Sequence, residues 1–285
     1  MPQPLGAHHE RIAFARTLLT KKGRAESGAF SFEGAMLLEE ALNSGTPIRA
    51  VYATEHAYKA TPRLRELESG NITIYLVDDR TFAKISDLET PSGILAVAGL
   101  RFSPLAEILG RPGVTLVLAD INDPGNAGAL VRSAEAFGSS GVVFGSLGVE
   151  PYHPKVVRGA MGTIFRLSLA LAEPEVLRST AESAGATIIG LTADGQPIGE
   201  VVLQPPDETG FRSTASQPGK KHGSSTLLIV GHERHGLGRW EPVCELLAGI
   251  PMEGPTESLN AAVAGSIALY ELAESRRIPN LVKRV

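Results

Sequence analysis

Residues 118–138 read LADINDPGNAGALVRSAEAFG, and the fold prediction starts from this stretch. The apolar run 115–120 predicts a fully buried strand, a Pro/Gly turn follows it, and 126–137 predicts a helix that Asn126 can cap. In open α/β sheets, ligand sites form at such carboxyl ends of strands. The stretch therefore predicts an α/β domain with a ligand site beside Asn126.

The predicted helix has two faces. One face is expected to pack on the sheet and contains Leu130, Val131, Ala134 and Phe137. On the other face Arg132 follows Gly128 by four residues, and helical side chains lean toward the N-terminus. We therefore expect the guanidinium to lie over the glycine and reach the turn at Asn126. An ordinary strand, turn and helix with a surface arginine explains the same pattern.

Two later segments repeat the change from a strand to a glycine-bearing turn. Residues 227–237, LLIVGHERHGL, place Glu233 just after an apolar strand. Residues 249–260, GIPMEGPTESLN, place Ser258 and Asn260 at the start of the last predicted helix, where simple capping also accounts for them. His232 is one residue too close to the next histidine for the helical zinc-protease motif, so we predict no metal site.

The pattern of strands and helices divides the chain into two α/β domains. The first domain is predicted over 1–100, a linker whose two prolines flank a possible single helix over 101–112, and the second domain over 113–285. Strands are predicted at 29–32, 49–53, 72–77, 93–98, 115–120, 141–144, 187–191, 226–230 and 249–252. Helices are predicted at 11–20, 35–42, 62–68, 126–137, 175–184 and 259–276.

Composition excludes several classes of protein. The 285 residues are 43% apolar and 20% charged, values of an ordinary globular chain and not of a collagen, coiled coil or disordered protein. Cys244 is the single cysteine, so no internal disulfide forms and a cytoplasmic location is expected. The sequence shows no signal peptide, no apolar run long enough for a membrane span, and no Walker loop, G-x-G-x-x-G or G-x-S-x-G motif.

A local basic segment stands out against a net charge of −4. Residues 8–24 carry five Lys and Arg against Glu10 alone, which suits contact with RNA phosphates as well as a solvated helix face. Residues 204–226 are rich in Pro, Gly, Ser and Thr and predict a mobile surface loop. A second interpretation of that loop is an RNA contact through Arg212, Lys220 and Lys221.

The three segments, in this order, resemble the SpoU (TrmH) family of SAM-dependent RNA ribose 2′-O-methyltransferases of the SPOUT class. The resemblance covers 115–276 and rests on DPGNAGALVRSAEAFG, LLIVGHERHGL and IPMEGPTESLN. Residues 30–42, FSFEGAMLLEEAL, and 85–98, ISDLETPSGILAVA, resemble the N-terminal substrate-binding domain of many members, a fold similar to RNA-binding ribosomal proteins. The family implies a C-terminal trefoil knot, S-adenosyl-L-methionine (SAM) as cofactor, RNA as substrate, and a homodimer with no membrane or metal partner.

The resemblance also assigns site residues. The family pattern places Asn126 and Arg132 beside the reacting ribose, Glu233 in the second motif, and Ser258 and Asn260 in the third, and these five are the candidate catalytic residues. It places around the cofactor Leu191, Thr192, Ala193, Val230, Gly231, His232, Gly236, Ile250, Met252, Ser258 and Leu259. Candidate RNA-binding residues are Arg11, Lys21, Lys22, Arg24 and Arg158. The chain departs from the family at His232, where Asn is usual, and in the insertion 204–226.

The resemblance leads to one function and two alternatives. We expect methyl transfer from SAM to a ribose 2′-hydroxyl of structured RNA, with rRNA favoured over tRNA. A catalytically silent RNA-binding or ribosome-assembly factor would keep the fold, although the five reactive-site residues together argue against it. A nucleotide-dependent oxidoreductase lacks the glycine fingerprint that its cofactor requires.

Overall fold

The computed structural model describes residues 2–68, 70, 72–203, 225–232, 235–256 and 258–282. Its contacts separate two compact units, Met1–Arg101 with Tyr152–Arg166, and Phe102–Pro151 with Leu167–Val285. Both units combine helices with a β-sheet, so the prediction of an α/β fold is confirmed.

The first unit is built on a five-stranded mixed sheet. Its strands are β1 (Gln3–Pro4), β2 (Ala29–Glu33), β3 (Ile48–Thr54), β4 (Thr73–Val77) and β5 (Ile94–Gly99). They lie in the order β1-β4-β3-β5-β2, and β5 runs antiparallel to β2 and β3. The helices of this unit are α1 (Glu10–Thr17), α2 (Lys21–Ser27), α3 (Ala35–Asn43), α4 (Glu55–Ala60), α5 (Pro62–Glu68), α6 (Asp79–Phe82) and α9 (Pro154–Gly159).

Residues 152–166 join the first unit because of aromatic packing. The Tyr152 ring lies 4.4 Å from the Phe30 ring of β2, and the Phe165 ring lies 4.9 Å from Phe32 of the same strand. The Tyr152 hydroxyl also donates to the Arg101 carbonyl at 2.6 Å. The domain boundaries predicted at 100 and 113 do not assign 152–166 to the first unit. The sequence did not reveal this assignment, because the aromatic contacts join residues over a hundred positions apart.

The second unit is built on a six-stranded parallel sheet. Its strands are β6 (Gly113–Leu118), β7 (Gly141–Gly145), β8 (Leu169–Ala172), β9 (Thr187–Pro197), β10 (Ser225–Val230) and β11 (Leu246–Gly249). They lie in the order β11-β9-β10-β6-β7-β8. The helices of this unit are α7 (Leu105–Leu109), α8 (Pro124–Ala136), α10 (Pro174–Ala184), α11 (Ile198–Leu203) and α12 (Ala261–Val282), and a 3-10 turn covers Gly238–Val243.

Packing in the second unit explains several differences from the predicted elements. The segment 101–112, predicted as a linker, holds α7, whose Ile108 and Leu109 are buried in the core beside Leu177. The strand predicted at 249–252 ends at Gly249, because β11 pairs with β9 over Leu246–Gly249. The long loop predicted at 204–226 falls outside the described residues as far as 224, and its last two residues belong to β10.

Candidate active site

A pocket lies at the carboxyl ends of β10 and β11 and beside the middle of β9, and the start of α12 contributes to its walls. Its volume is about 230 Å³. Its walls contain all eleven residues that the family resemblance assigns to the cofactor, together with Ala261 and Ala264. Because neighbouring parallel strands bring distant segments together, residues up to 73 positions apart in sequence converge on this pocket.

One wall of the pocket is a turn held closed by its own backbone. The His232 amide donates to the Gly236 carbonyl and the Gly236 amide donates to the His232 carbonyl, each at 2.9 Å. A side chain at Gly231 would lie 2.2 Å from the Gly236 carbonyl oxygen, and Gly236 itself has a positive φ of 57°. Glycine is therefore required at both positions, and the wall presents backbone groups to the pocket.

The first motif forms helix α8, which begins earlier than the sequence predicts. Asp123, not Asn126, caps this helix, because its carboxylate accepts from the Asn126 amide at 2.7 Å and Pro124 occupies the first turn. The predicted cap at Asn126 is therefore wrong. The predicted apolar face is confirmed for Leu130, Val131 and Ala134, which are buried, while Phe137 is half-buried and meets the Tyr270 ring edge-on.

The third motif meets the first through two asparagine side chains. Asn260 Oδ1 accepts from the backbone amides of Ala262 and Val263 at 2.9 and 3.2 Å, so it caps α12. Its Nδ2 donates to Asn126 Oδ1 at 3.1 Å. Asn260 lies between the pocket residues Leu259 and Ala261, so this bond joins the start of α8 to the rim of the pocket.

Close packing of α12 on α8 fixes the same junction. A side chain at Gly265 would lie 2.5 Å from Leu130 of α8 and 3.0 Å from Val230 of β10. The hydroxyls of Ser133 and Ser266 are hydrogen-bonded at 2.7 Å across the two helices. Small residues therefore hold the two helices side by side where the first and third motifs meet.

The remaining predicted reactive-site residues have different positions. Ser258 lines the pocket and is exposed, and Arg132 is exposed on α8. Glu233 lies outside the described residues. The structure thus brings together Asn126, Ser258 and Asn260, and the roles assigned to all five residues stay predictions.

The strand ends beside the pocket carry a charged cluster that sequence reasoning missed. Arg239 donates to both Asp120 oxygens, at 2.7 and 3.2 Å, and Trp240 Nε1 donates to Asp120 Oδ2 at 2.8 Å. Burial alone would raise the pKa of Asp120. Hydrogen bonds from Arg239, Trp240 and the Leu147 amide outweigh burial and hold the pKa of this carboxyl below its usual value. The carboxylate is therefore charged at neutral pH.

The predicted RNA-binding residues of the first unit divide into exposed and buried ones. Arg11, Lys21 and Lys22 are exposed. Arg24 is 1% exposed, and its Nη1 donates to the Leu18 carbonyl at 2.5 Å, so the prediction that it holds a phosphate is wrong. Arg158 forms an ion pair with Asp87 at 2.5 Å and is partly exposed.

Two further findings concern metals and membranes. The described part of the chain contains no group of three or more His, Cys, Asp or Glu side chains placed to hold a metal ion. Among the helices that the structure describes, none combines the length and the apolar character needed to cross a membrane.

Comparison with known proteins matches both parts of the chain to families. The model of the SpoU rRNA Methylase family matches residues 113–270, and that of the MRM3-like substrate binding domain matches residues 9–96. The 23S rRNA (guanosine(2553)-2′-O)-methyltransferase RlmP of Bacillus subtilis (strain 168) is 28% identical over 274 residues, covering 95% of this chain and 99% of the relative. The 23S rRNA (uridine(2479)-2′-O)-methyltransferase of Streptomyces viridochromogenes is 30% identical over 263 residues, covering 89% and 85%.

A solved structure shares the fold. The SpoU methyltransferase AviRb from Streptomyces viridochromogenes, in complex with AdoMet, superposes with a TM-score of 0.80 at 24% identity, covering 95% of this chain and 99% of that one. The fold predicted from the three motifs is thereby confirmed, while the trefoil knot stays a prediction. With a family match over more than half of its length, the chain belongs to the SpoU rRNA methylase family.

Proposed function

We propose that this chain transfers the methyl group of SAM to a ribose 2′-hydroxyl of rRNA. The observation that carries the proposal is the hydrogen bond from Asn260 to Asn126, which joins the first motif to the rim of a pocket lined by the second and third motifs. The two relatives named as 23S rRNA 2′-O-methyltransferases supply the reaction and favour rRNA over tRNA.

The pocket suits SAM by its composition. Its walls are largely apolar, with Leu191 from β9, Val230 from the end of β10 and Ile250 directly after β11, and they include Gly231, His232 and Gly236. The described lining residues include no Lys or Arg side chain that would repel a sulfonium. The same composition disfavours a dinucleotide, whose phosphates require cations or a glycine-rich helix start.

When bound, SAM would supply an electrophilic methyl group on a sulfonium, whose positive charge at sulfur is lost when the methyl group is transferred. The ribose oxygen meanwhile gains negative charge and loses its proton, so a fixed cation beside it lowers the barrier. In our proposal this cation is Arg132, exposed on α8 six residues after Asn126. A guanidinium is a poor proton acceptor, so we assign Arg132 to charge stabilisation and not to proton removal.

The asparagines and the serine position the two reactants. Asn260 uses its oxygen to cap α12 and its amide nitrogen to hold Asn126, which fixes the orientation of the Asn126 side chain. We propose that Asn126 orients the ribose, that Ser258 orients the cofactor at the pocket wall, and that Glu233 acts in the second motif as the family pattern implies.

We propose that the first unit holds the RNA substrate by its phosphates. Its exposed basic residues include Lys21 and Lys22 at the start of α2, and Arg11 on α1. Replacing Lys21 and Lys22 with Glu is expected to weaken RNA binding and to reduce its salt dependence by about 0.7 log units of slope for each phosphate that is no longer neutralised. Unchanged affinity and slope would assign the RNA footprint to other residues.

We also propose that the protein is a homodimer through α12. An apolar stripe on α12 is exposed to solvent in the single chain. It consists of Val263, Ile267 and Tyr270, which follow one another at helical spacing and are 49%, 36% and 47% exposed. The family implies a dimer, and a second copy would cover this stripe. A cytoplasmic location is part of the same proposal and rests on rRNA as the substrate.

The decisive experiment is methyl transfer from methyl-labelled SAM to rRNA, followed by mapping of 2′-O-methyl sites. The wild-type chain is expected to methylate one ribose position, and Arg132→Ala to lose roughly 10²- to 10³-fold in rate while SAM affinity stays within a few-fold. Arg178→Ala is the matched control, since Arg178 pairs with Glu182 on the exposed side of α10. Binding of SAM and RNA by the wild type without any turnover would instead identify a silent assembly factor.

A further inference from the structure

Asp120 has a backbone conformation that few residues other than glycine adopt. It follows β6 with a φ of 54°, one of two non-glycine residues with positive φ in the described part of the chain. Such a conformation is unfavourable and persists only where surrounding contacts enforce it. The contacts of the Asp120 carboxylate are therefore expected to hold this backbone conformation in place, in addition to pairing its charge.

The ends of three strands and the 3-10 turn after β10 meet at this carboxylate. Arg239 and Trp240, both in the turn Gly238–Val243, donate to it as described, and the Leu147 amide that follows β7 donates to Oδ1 at 3.1 Å. Arg239 also donates to Glu173, which follows β8, and to the hydroxyl of Ser146 at 3.2 Å. Arg239 thus ties the turn to the ends of β6, β7 and β8.

Two glycines leave the space that this cluster needs. A side chain at Gly145 would lie 2.4 Å from Asp120 Oδ1 and 2.8 Å from the Trp240 ring. One at Gly148 would lie 2.7 Å from the Ile121 carbonyl oxygen. The cluster is therefore a close-packed junction in which side chains cannot readily shift.

The turn held by Arg239 comes directly after the pocket wall. Gly236 lines the pocket, and Leu237 and Trp240, which follow it, are buried. A side chain at Gly190 would lie 2.7 Å from Leu237 and 2.6 Å from Cys244 Sγ, so the turn also packs on β9 just before the pocket residue Leu191. Movement of the turn would therefore shift two walls of the pocket together.

We propose that Asp120 and Arg239 are positioning residues for the cofactor, because their ion pair holds the turn Gly238–Val243 and thereby sets the shape of the pocket walls at Gly236 and Leu191. Asp120 lies three residues before Asp123, the cap of α8. The same ion pair therefore also holds the start of α8, in the first motif, in position relative to the turn that follows the second motif. The inference rests on the proposed function in one respect, that SAM occupies the pocket.

Two variants test the ion pair from its two sides. Asp120→Gly removes the carboxylate while glycine accepts the positive φ without strain, so the fold is preserved. Arg239→Met removes the guanidinium and keeps the length of the side chain. Arg178→Met is the control, since it breaks the exposed pair with Glu182 on α10 and touches no pocket wall.

The expected result is a rise of about ten-fold or more in the Kd for SAM, measured by calorimetry, for Asp120→Gly and for Arg239→Met, and less than two-fold for the control. The double variant is expected to raise the Kd by less than the product of the two single effects, because each single change already removes the ion pair; independent effects would multiply. Cys244 donates its thiol to the Trp240 carbonyl at 3.3 Å, so a loosened turn is also expected to make Cys244 react faster with a thiol reagent at a temperature where both variants are folded.

The outcomes separate this inference from the proposed function. Folded Asp120→Gly and Arg239→Met proteins with the wild-type Kd for SAM, or a control that weakens binding equally, would overturn the positioning role. A wild-type chain that fails to bind SAM would contradict the proposed function, and the Cys244 labelling rates would still show whether the ion pair holds the turn.

Discussion

Asn260 performs two tasks that a single substitution can separate. Its Oδ1 accepts from two amides at the start of α12, and its Nδ2 donates to Asn126. An aspartate at this position keeps the cap, since its carboxylate accepts the same amide hydrogens, but it has no hydrogen to donate to Asn126. Asn260→Ala loses both tasks.

The two variants are expected to differ in stability and to agree in activity. Loss of an N-cap costs about 1 kcal/mol, so Asn260→Ala should lower the melting temperature by about 2–4 °C for a folding unit of this size. Asn260→Asp should melt at or above the wild-type temperature, because a negative charge at a helix N-terminus is favourable by about 0.3–1 kcal/mol. Both should lose the orientation of Asn126, and removal of a hydrogen bond of about 1.4 kcal/mol corresponds to a ten-fold lower rate of methyl transfer.

The assay pairs thermal melting with transfer of labelled methyl from SAM to rRNA at saturating SAM. Ser266→Ala is the control, because it removes the hydroxyl bond to Ser133 further along the same helix pair without touching the cap. Asn260→Asp with wild-type turnover would refute the reasoning that the bond to Asn126 serves the reaction. A melting temperature for Asn260→Asp as low as that for Asn260→Ala would refute the capping role.

Three other predictions concern buried groups. Burial raises the pKa of Cys244 to about 12, from about 9, so native protein at pH 8 should react with a thiol reagent about 1,000-fold more slowly than urea-unfolded protein, and equal rates would contradict its burial. Burial also raises the pKa of Tyr52 to about 12, because the fold favours the neutral phenol. The contribution of this neutral phenol to stability is therefore complete below about pH 10 and is lost as the pH rises toward 12. Replacing Tyr52 with Phe should leave the absorbance titration of the native protein below about pH 11 unchanged. Arg24→Ala should destabilise the first unit by about 1–3 kcal/mol in urea unfolding, since it removes the donor to the Leu18 carbonyl, whereas Lys21→Ala should change stability by less than about 0.5 kcal/mol.

Local patterns were sufficient for most elements of the second unit. The apolar run of β6 and the spacing of Leu130, Val131 and Ala134 specify a strand and a helix without knowledge of neighbours, and both are confirmed. The helix α9 of the first unit and the strand β8 of the second were missed, and the segment around α9 depends on distant partners. Tyr152 and Phe165 are drawn to β2 of the first unit by aromatic contacts that no local periodicity reveals.

The pocket was predicted better than the cluster beside it. The cofactor residues could be named because each occurs in a segment typical of the family, and their order along the chain is fixed by the order of the strands. Asp120 and Arg239 are 119 residues apart, and neither belongs to a segment with a known pattern. The one local signal was an aspartate directly after a buried strand, and it did not indicate which cation would pair with it.

The misassigned cap of α8 shows how capping and function compete for one side chain. Asparagine is among the best capping residues, so Asn126 at the start of an apolar pattern was a reasonable cap. Had it served as one, its Oδ1 would also have accepted from a backbone amide of α8, and α8 would have set the position of the side chain together with Asn260. Because Asp123 and Pro124 start the helix instead, Asn126 lies in its first turn, and its Oδ1 accepts from Asn260, which caps α12 with its own oxygen. In the local sequence DPGN, Asp123 therefore caps the helix and Asn126 provides an amide group to the site. The sequence alone does not show these separate roles, because the role of Asn126 depends on its contact with Asn260 at the start of α12.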